Sequence, residues 1–299
     1  MTDRHTRLDL RAATLMLTCC ALWGLQQVVV KLTLPVLAPL LQGALRSLIA
    51  ALLVAAYARA RRIRLVERDA TLWPGVGAGV LFGLEFICIY AGLQYTQASR
   101  LIVFVYLAPF VVALGMPFIS RAERLSAAQG LGLALAFAGL VFAFSENFGH
   151  PAGSAQALRW VGDGLAVAAA LFWGLTTLLV RATALSTATP ERTLFWQLAV
   201  SAPLLAVAAA VAGEPWPRAG WGAISASMLY QAGVVAAASY LAWFWLLRHY
   251  PATRISAFSF LTPLFGLVFG AAVLGEPLTP RLLLALAGVA VGIVLVNRR

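Results

Sequence analysis

Apolar residues run almost unbroken along this chain, and polar ones collect in short intervals between the runs. A helix needs about 20 apolar residues to cross a bilayer core. Runs of that size fall at 12–31, 39–58, 73–94, 101–119, 126–144, 160–180, 193–212, 222–247, 255–274 and 281–297. They are too long and too continuously apolar for the alternating strands of an outer-membrane barrel. The pattern predicts an all-α integral membrane protein with ten transmembrane helices.

The pattern also repeats. Ala98-Ser99-Arg100, Phe104, Leu107 and Pro109 return as Ala252-Thr253-Arg254, Phe258, Leu261 and Pro263. Glu123-Arg124-Leu125-Ser126 returns as Glu276-Pro277-Leu278-Thr279, and Leu131, Leu133, Ala134, Gly139 and Val141 as Leu284, Leu286, Ala287, Gly292 and Val294. Upstream, Trp23-Gly24-Leu25 and Val30-Lys31 match Trp173-Gly174-Leu175 and Val180-Arg181. Self-similarity on this scale means two copies of one structural unit. The copies are expected at 1–150 and 151–299, five helices each, joined by the polar stretch Ser145 to Arg159 with Gly149, Pro151 and Gly153. Five is odd, so the second copy enters the membrane from the opposite side, giving two inverted repeats.

Composition removes other classes. The chain is 62% hydrophobic and 11% charged, which a soluble surface cannot accommodate. Its net charge of +11 would suit nucleic acid, yet the basic residues cluster between apolar runs, as loop charges of a membrane protein do. With the N-terminus in the cytoplasm, 16 of the 22 basic residues fall on the inner side. Lys31, Arg100, Arg159, Arg218 and Arg281 fall outside, and Arg46 lies within a helix. That bias places both termini in the cytoplasm. Cys19, Cys20 and Cys88 lie in apolar runs, and His5, His150 and His249 are scattered, so neither a disulfide framework nor a metal site is indicated. The first apolar run is long enough to span and lacks a cleavage site after it, unlike a signal peptide.

Two ionisable side chains fall well inside helices, Arg46 and Glu85. A lone charge at mid-depth costs on the order of 2.5–3.5 kcal/mol, so such residues face the bundle interior and find partners. Matching Gln42 to Gln197 sets Arg46 opposite Ser201, and the Ala98/Ala252 match sets Glu85 opposite Ser239. Charges in one half against hydroxyls in the other suggest that Arg46 and Glu85 act as a pair, in substrate binding, in proton coupling or as a structural ion pair.

Trp23 is followed by Gln26 and Gln27, and Trp173 by Thr176 and Thr177, spacings that put an aromatic ring beside hydrogen-bonding groups on one helical face. Amides and hydroxyls in hydrocarbon need partners, which turns that face inward. Ser239, Tyr240 and Trp243 on the eighth run and Phe258 and Ser259 on the ninth extend an apolar, aromatic pocket with sparse polar groups, the usual make-up of a small-molecule site. Pro109 and Pro263, at matching positions, are candidate hinges or static kinks. Gly75, Gly79 and Gly83 form a small-residue ladder for close helix packing. Glu123 and Glu276 sit where a carboxylate caps a helix N-terminus.

An Ala-x-Arg, a following Pro and a Glu-x-Leu before a Gly-rich last helix, occurring twice in order, resemble the bacterial drug/metabolite transporter superfamily in its two-repeat, EamA-type branch. The resemblance covers the whole chain and is greatest to exporters of aromatic and other amino acids. It implies an inner-membrane secondary transporter that exports neutral and aromatic amino acids by alternating access, with multidrug or metabolite efflux of hydrophobic or cationic molecules as the alternative. Such a protein works in the lipid bilayer on a small-molecule substrate, with no cofactor, nucleic acid or obligatory protein partner. An intramembrane enzyme lacks its paired carboxylates, metal cluster or activated nucleophile here. Direct ATP drive lacks its phosphate-binding loop, and a channel lacks a filter or a ring of charge.

Overall fold

The structure is a computed structural model that describes residues 9–95, 101, 104–120, 126–144, 159–251, 254–255, 258–274, 280, 284, 287–288 and 291, the side chains of 27, 136, 140, 143, 144 and 159 excepted. The described residues are helical, with no strand among them. The helices are α1 (Leu10–Thr33), α2 (Pro39–Ala60), α3 (Leu72–Gly92), α4 (Ala108–Ile119), α5 (Ala127–Phe144), α6 (Arg159–Ala182), α7 (Pro190–Val211), α8 (Trp221–His249) and α9 (Leu261–Leu274). Six of them (α1, α2, α3, α6, α7 and α8) are long and apolar enough to cross a membrane, and α4, α5 and α9 are shorter apolar helices. The run at 281–297 lies mostly outside the described residues, where 284, 287, 288 and 291 are helical. Glu123 and Glu276, expected as caps, also lie outside them. At the start of α5, the Ser126 hydroxyl accepts from the Gln129 N–H while the Gln129 amide oxygen accepts from the Ser126 N–H, a reciprocal capping box.

Local chemistry sets the ends of the helices. α2 and α7 each open on a proline, whose missing N–H costs nothing in a first turn. Each closes with a left-handed residue, Arg62 (φ 55°) and Gly213 (φ 67°), and the next N–H reaches back to the Ala58 or Ala209 carbonyl. The two 22-residue helices therefore match from Pro39/Pro190 to Ala60/Val211. This register corrects the sequence alignment by one turn: Arg46 stands opposite Gln197, and Gln42 opposite Thr193. The Gln42/Gln197 identity misled because sequence matching inside an apolar helix has few anchors, whereas the helix ends are set by hydrogen bonds.

Contacts at the ends show how the helices run. Arg192 at the start of α7 clasps the α2–α3 loop, through two bonds to the Arg64 carbonyl (3.1 and 2.9 Å), one to Asp69 (2.7 Å) and an ion pair with Glu67. At the other end of this pair, Glu214 beyond α7 accepts from the Leu40 and Leu41 N–H groups at 3.0 and 2.8 Å, a carboxylate on the α2 N-terminus. α2 and α7 thus run antiparallel. So do α1 and α8: the Tyr250 hydroxyl donates to Asp9 at 2.9 Å, and Thr33 meets Ser227 at 2.7 Å.

Helix packing is reciprocal. α1 packs on α9 and α4 on α6, α3 on α6 and α1 on α8, α3 on α7 and α2 on α8, with α2 against α7 between them. At matching positions a Cβ on Gly24 would lie 2.6 Å from Phe265, and one on Gly174 2.5 Å from Val111, so both crossings need the hydrogen side chain. Gly75, Gly79 and Gly83 let α7 approach α3 through Trp196, Val200 and Leu204. Large apolar side chains such as Leu52, Leu114, Phe118 and Val207 face outward, the arrangement lipid requires and water forbids.

Pro109 and Pro263 do not interrupt helices. Each stands in the first turn of the helix that follows a break, at 106–107 before α4 and 259–260 before α9. A first-turn N–H has no helical partner to lose, so neither proline removes a hydrogen bond. The break, rather than the proline, interrupts each run.

Candidate functional site

An open cavity of about 1010 Å³, mouth included, lies among α1, α3, α6, α7, α8, the break before α4 and the start of α9. Its wall includes Trp23, Gln26, Glu85, Trp173, Thr176, Thr177, Tyr240 and Trp243 from the residues singled out in the sequence. Ser239 lies just behind: the Trp23 indole N–H donates to its hydroxyl at 2.8 Å, and that hydroxyl donates to the Val235 carbonyl at 2.6 Å. Phe258 and Ser259 are packed into the core at the α9 break and do not line the cavity, and the Gln27 side chain lies outside the described residues. Arg46 is fully buried and also off the cavity wall.

Two aromatic groups form the walls. Trp23 meets Tyr240 and Trp243 edge to face, with ring centres 6.0 and 5.5 Å apart, and Phe82 continues this group against Tyr240 at 6.0 Å. Trp173 meets Tyr106 at 5.4 Å and 87°, and Tyr106 meets Phe260, its match in the second copy. Each tryptophan therefore packs on rings from the opposite half of the chain. α8 supplies Tyr240 directly after an 11-residue π-helical stretch, Leu229–Ser239, a rare winding that is frequent at functional sites.

The polar groups of the wall are sparse and undersatisfied. Thr176 and Thr177 donate to carbonyls of their own helix, Phe172 at 2.8 Å and Trp173 at 3.2 Å. Gln26 Oε1, Glu85 Oε2, the Tyr90 hydroxyl and both amide atoms of Gln197 are buried and meet no hydrogen-bond partner among the described residues. Each such atom costs roughly 1–3 kcal/mol until something satisfies it, and more for a charged one. Among the described residues, Glu85 is the acid on the wall, and no lysine or arginine lines it.

Arg46 and Glu85 are not in contact. No ion pair within 4.0 Å joins them, and among the described residues the Arg46 guanidinium makes no hydrogen bond within 3.5 Å, although the Tyr240 hydroxyl acts on it. It lies over the Phe86 ring instead, 3.9 Å from the centre, with the Tyr240 ring at 6.0 Å. The direct ion pair considered from sequence is replaced by an aromatic clasp. Sequence reading passed over Phe82, Phe86 and Tyr90, although they share a helical stripe with Glu85, and Gln197, which the α2/α7 register reveals.

Comparison with known proteins bears on the family and the fold. A family model described as the EamA-like transporter family matches twice, over residues 10–145 and 160–298. An uncharacterized transporter of Bacillus subtilis (strain 168), YvbV, is 27% identical over 97% of this chain and 92% of its own. A probable amino-acid metabolite efflux pump of Salmonella typhimurium (strain LT2) is 28% identical over 89% of this chain and 87% of its own. A solved crystal structure superposes with a TM-score of 0.76 over 96% of both chains at 18% identity, a likeness of fold alone. With both matches to the family model together spanning nearly its full length, the chain belongs to the EamA-like transporter family.

Proposed function

We propose that this protein exports neutral and aromatic amino acids across the bacterial inner membrane by alternating access. The observation that carries the reading is the cavity, in which two aromatic walls enclose an acid and amide groups without protein partners. Rings suit an apolar side chain, the carboxylate suits an ammonium, and amides suit either end of a zwitterion. The Salmonella relative's name, a probable amino-acid metabolite efflux pump, points the same way. A second reading, efflux of hydrophobic cations, is favoured by one feature: among the described residues Glu85 has no basic counterpart on the wall.

Purified protein in liposomes, offered radiolabelled phenylalanine, leucine and alanine beside a hydrophobic cation, separates the two. Amino-acid flux above that of empty liposomes, self-inhibited by excess unlabelled phenylalanine, is the expected result. Flux of the cation alone would replace the amino-acid reading with the second one.

The working unit we propose is a pair of inverted five-helix repeats, 1–150 and 151–299, ten helices in all, around that cavity. Inverted repeats give two related conformations, each open to one side. The antiparallel course of the matching helices α2 and α7 and the reciprocal packing of α1 on α9 and α4 on α6 support it. The charge bias favours cytoplasmic termini. Reporters inserted at Arg68 and Gly213 should then read cytoplasm and outside respectively. Both reading the same side would refute the proposed topology.

A further inference from the structure

We infer that Arg46 is a concealed carboxylate site, screened from the cavity by Phe86 and uncovered when that ring moves, so that the transported molecule is held by its ammonium at Glu85 and by its carboxylate at Arg46. The inference rests on the amino-acid reading above. Arg46 is 0% exposed, and among the described residues its Nε, Nη1 and Nη2 meet no hydrogen-bond partner within 3.5 Å, although the Tyr240 hydroxyl acts on them. A guanidinium presents five donors in a fork that matches a carboxylate, and leaving most of them unpaired in a low-dielectric interior is costly. Ring faces offset only part of that cost. The residues that hold it in place, Phe86 at 3.9 Å and Tyr240 at 6.0 Å, are both cavity wall. One side-chain rearrangement therefore separates the charge from the site.

The surroundings fit a two-point clamp. Glu85, 6% exposed with Oε2 unpartnered, lies one residue before Phe86 on the cavity wall. Arg46 lies over the ring next in sequence to Glu85 and no ion pair within 4.0 Å joins the two, so acid and base stand near each other with no salt bridge between them. The position that matches Arg46 in the second copy, Gln197, is on the wall and 1% exposed, with both amide atoms lacking a hydrogen-bond partner among the described residues. A zwitterion that spans Glu85 and Arg46 satisfies charges that otherwise stay buried and unpaired. An amine without a carboxylate satisfies Glu85 alone, and discrimination between the two follows from unpaired polar groups rather than from shape.

The test compares binding of phenylalanine, phenethylamine and 3-phenylpropionate to the purified full-length protein, which share one ring and differ in charge. The wild type is expected to bind phenylalanine about 10-fold to 100-fold more tightly than phenethylamine. Arg46→Met should bring phenylalanine down to the amine and leave phenethylamine unchanged, whereas Glu85→Gln should weaken both amines and spare 3-phenylpropionate. Phe86→Ala, which retains the guanidinium, should raise affinity for 3-phenylpropionate and serves if Arg46→Met does not fold. Equal weakening of phenylalanine and phenethylamine by Arg46→Met, or no gain for 3-phenylpropionate in Phe86→Ala, overturns the inference while leaving the amino-acid reading intact. If the wild type binds phenethylamine and not phenylalanine, the amino-acid reading itself fails, and the carboxylate site with it.

Discussion

Replacing Gly79 by leucine is expected to eliminate folded protein. A Cβ at this position would lie 2.5 Å from the Trp196 carbonyl oxygen and 2.6 Å from the Val200 Cβ, both on α7. A carbonyl cannot rotate away as a side-chain tip can, so α3 and α7 must separate. Ordinary overpacking costs about 1–3 kcal/mol, and the leucine should exceed it because backbone, not side chain, has to give. The same separation would strip the wall of the cavity, since Glu85 and Gln197 sit on the two helices concerned. Gly130→Ala is the control: no described residue lies within 4 Å of a Cβ placed there, and the alanine should favour α5 by up to roughly 1 kcal/mol. Size-exclusion profiles of detergent extracts read the difference. A monodisperse Gly79→Leu peak at wild-type yield would show that the close α3–α7 approach is not required.

Trp23→Ala should be the most damaging single change to the cavity itself. The indole donates to Ser239 and touches Tyr240 and Trp243, so its loss removes one wall of the site and the link from α1 to α8. Truncating a large buried aromatic costs about 3–5 kcal/mol. Trp23 is only partly buried, which places the expected stability loss at the lower end of that range. Trp23→Phe separates the contributions. It retains a ring against Tyr240 and Trp243 and gives up one hydrogen bond, a net of roughly 0.5–1.5 kcal/mol. The Ser239 hydroxyl still donates to Val235, so no buried donor is stranded. Thermal unfolding in detergent should therefore rank wild type above Trp23→Phe and that variant well above Trp23→Ala, with phenylalanine binding following the same order. Equal midpoints for the phenylalanine and alanine variants would show that ring packing contributes little there.

Much of this protein could be read from its order of residues, because the informative signals are local. Apolar runs mark helices by length alone, and the observed ends of α1, α2, α3, α6, α7 and α8 fall within a few residues of those runs. The i, i+3 and i+4 neighbours of Trp23 and Trp173 drew attention to Gln26, Thr176 and Thr177, all of which line the cavity. The glycine ladder on α3 announced a close helix approach, though not that α7 would be the partner.

What the sequence by itself determined, then, is the helical composition, the duplication and the aromatic, sparsely polar character of the site, since each follows from residue spacing within one segment. Only the tertiary structure decided how the segments meet. It set Arg46 opposite Gln197 instead of Ser201, because helix ends closed by Arg62 and Gly213 set the register where apolar sequence could not. It moved Pro109 and Pro263 to the starts of α4 and α9, because the breaks before them depend on packing between helices. And it turned Arg46 onto the Phe86 ring and away from Glu85, a choice among partners that are distant in sequence and that only the folded bundle brings within reach.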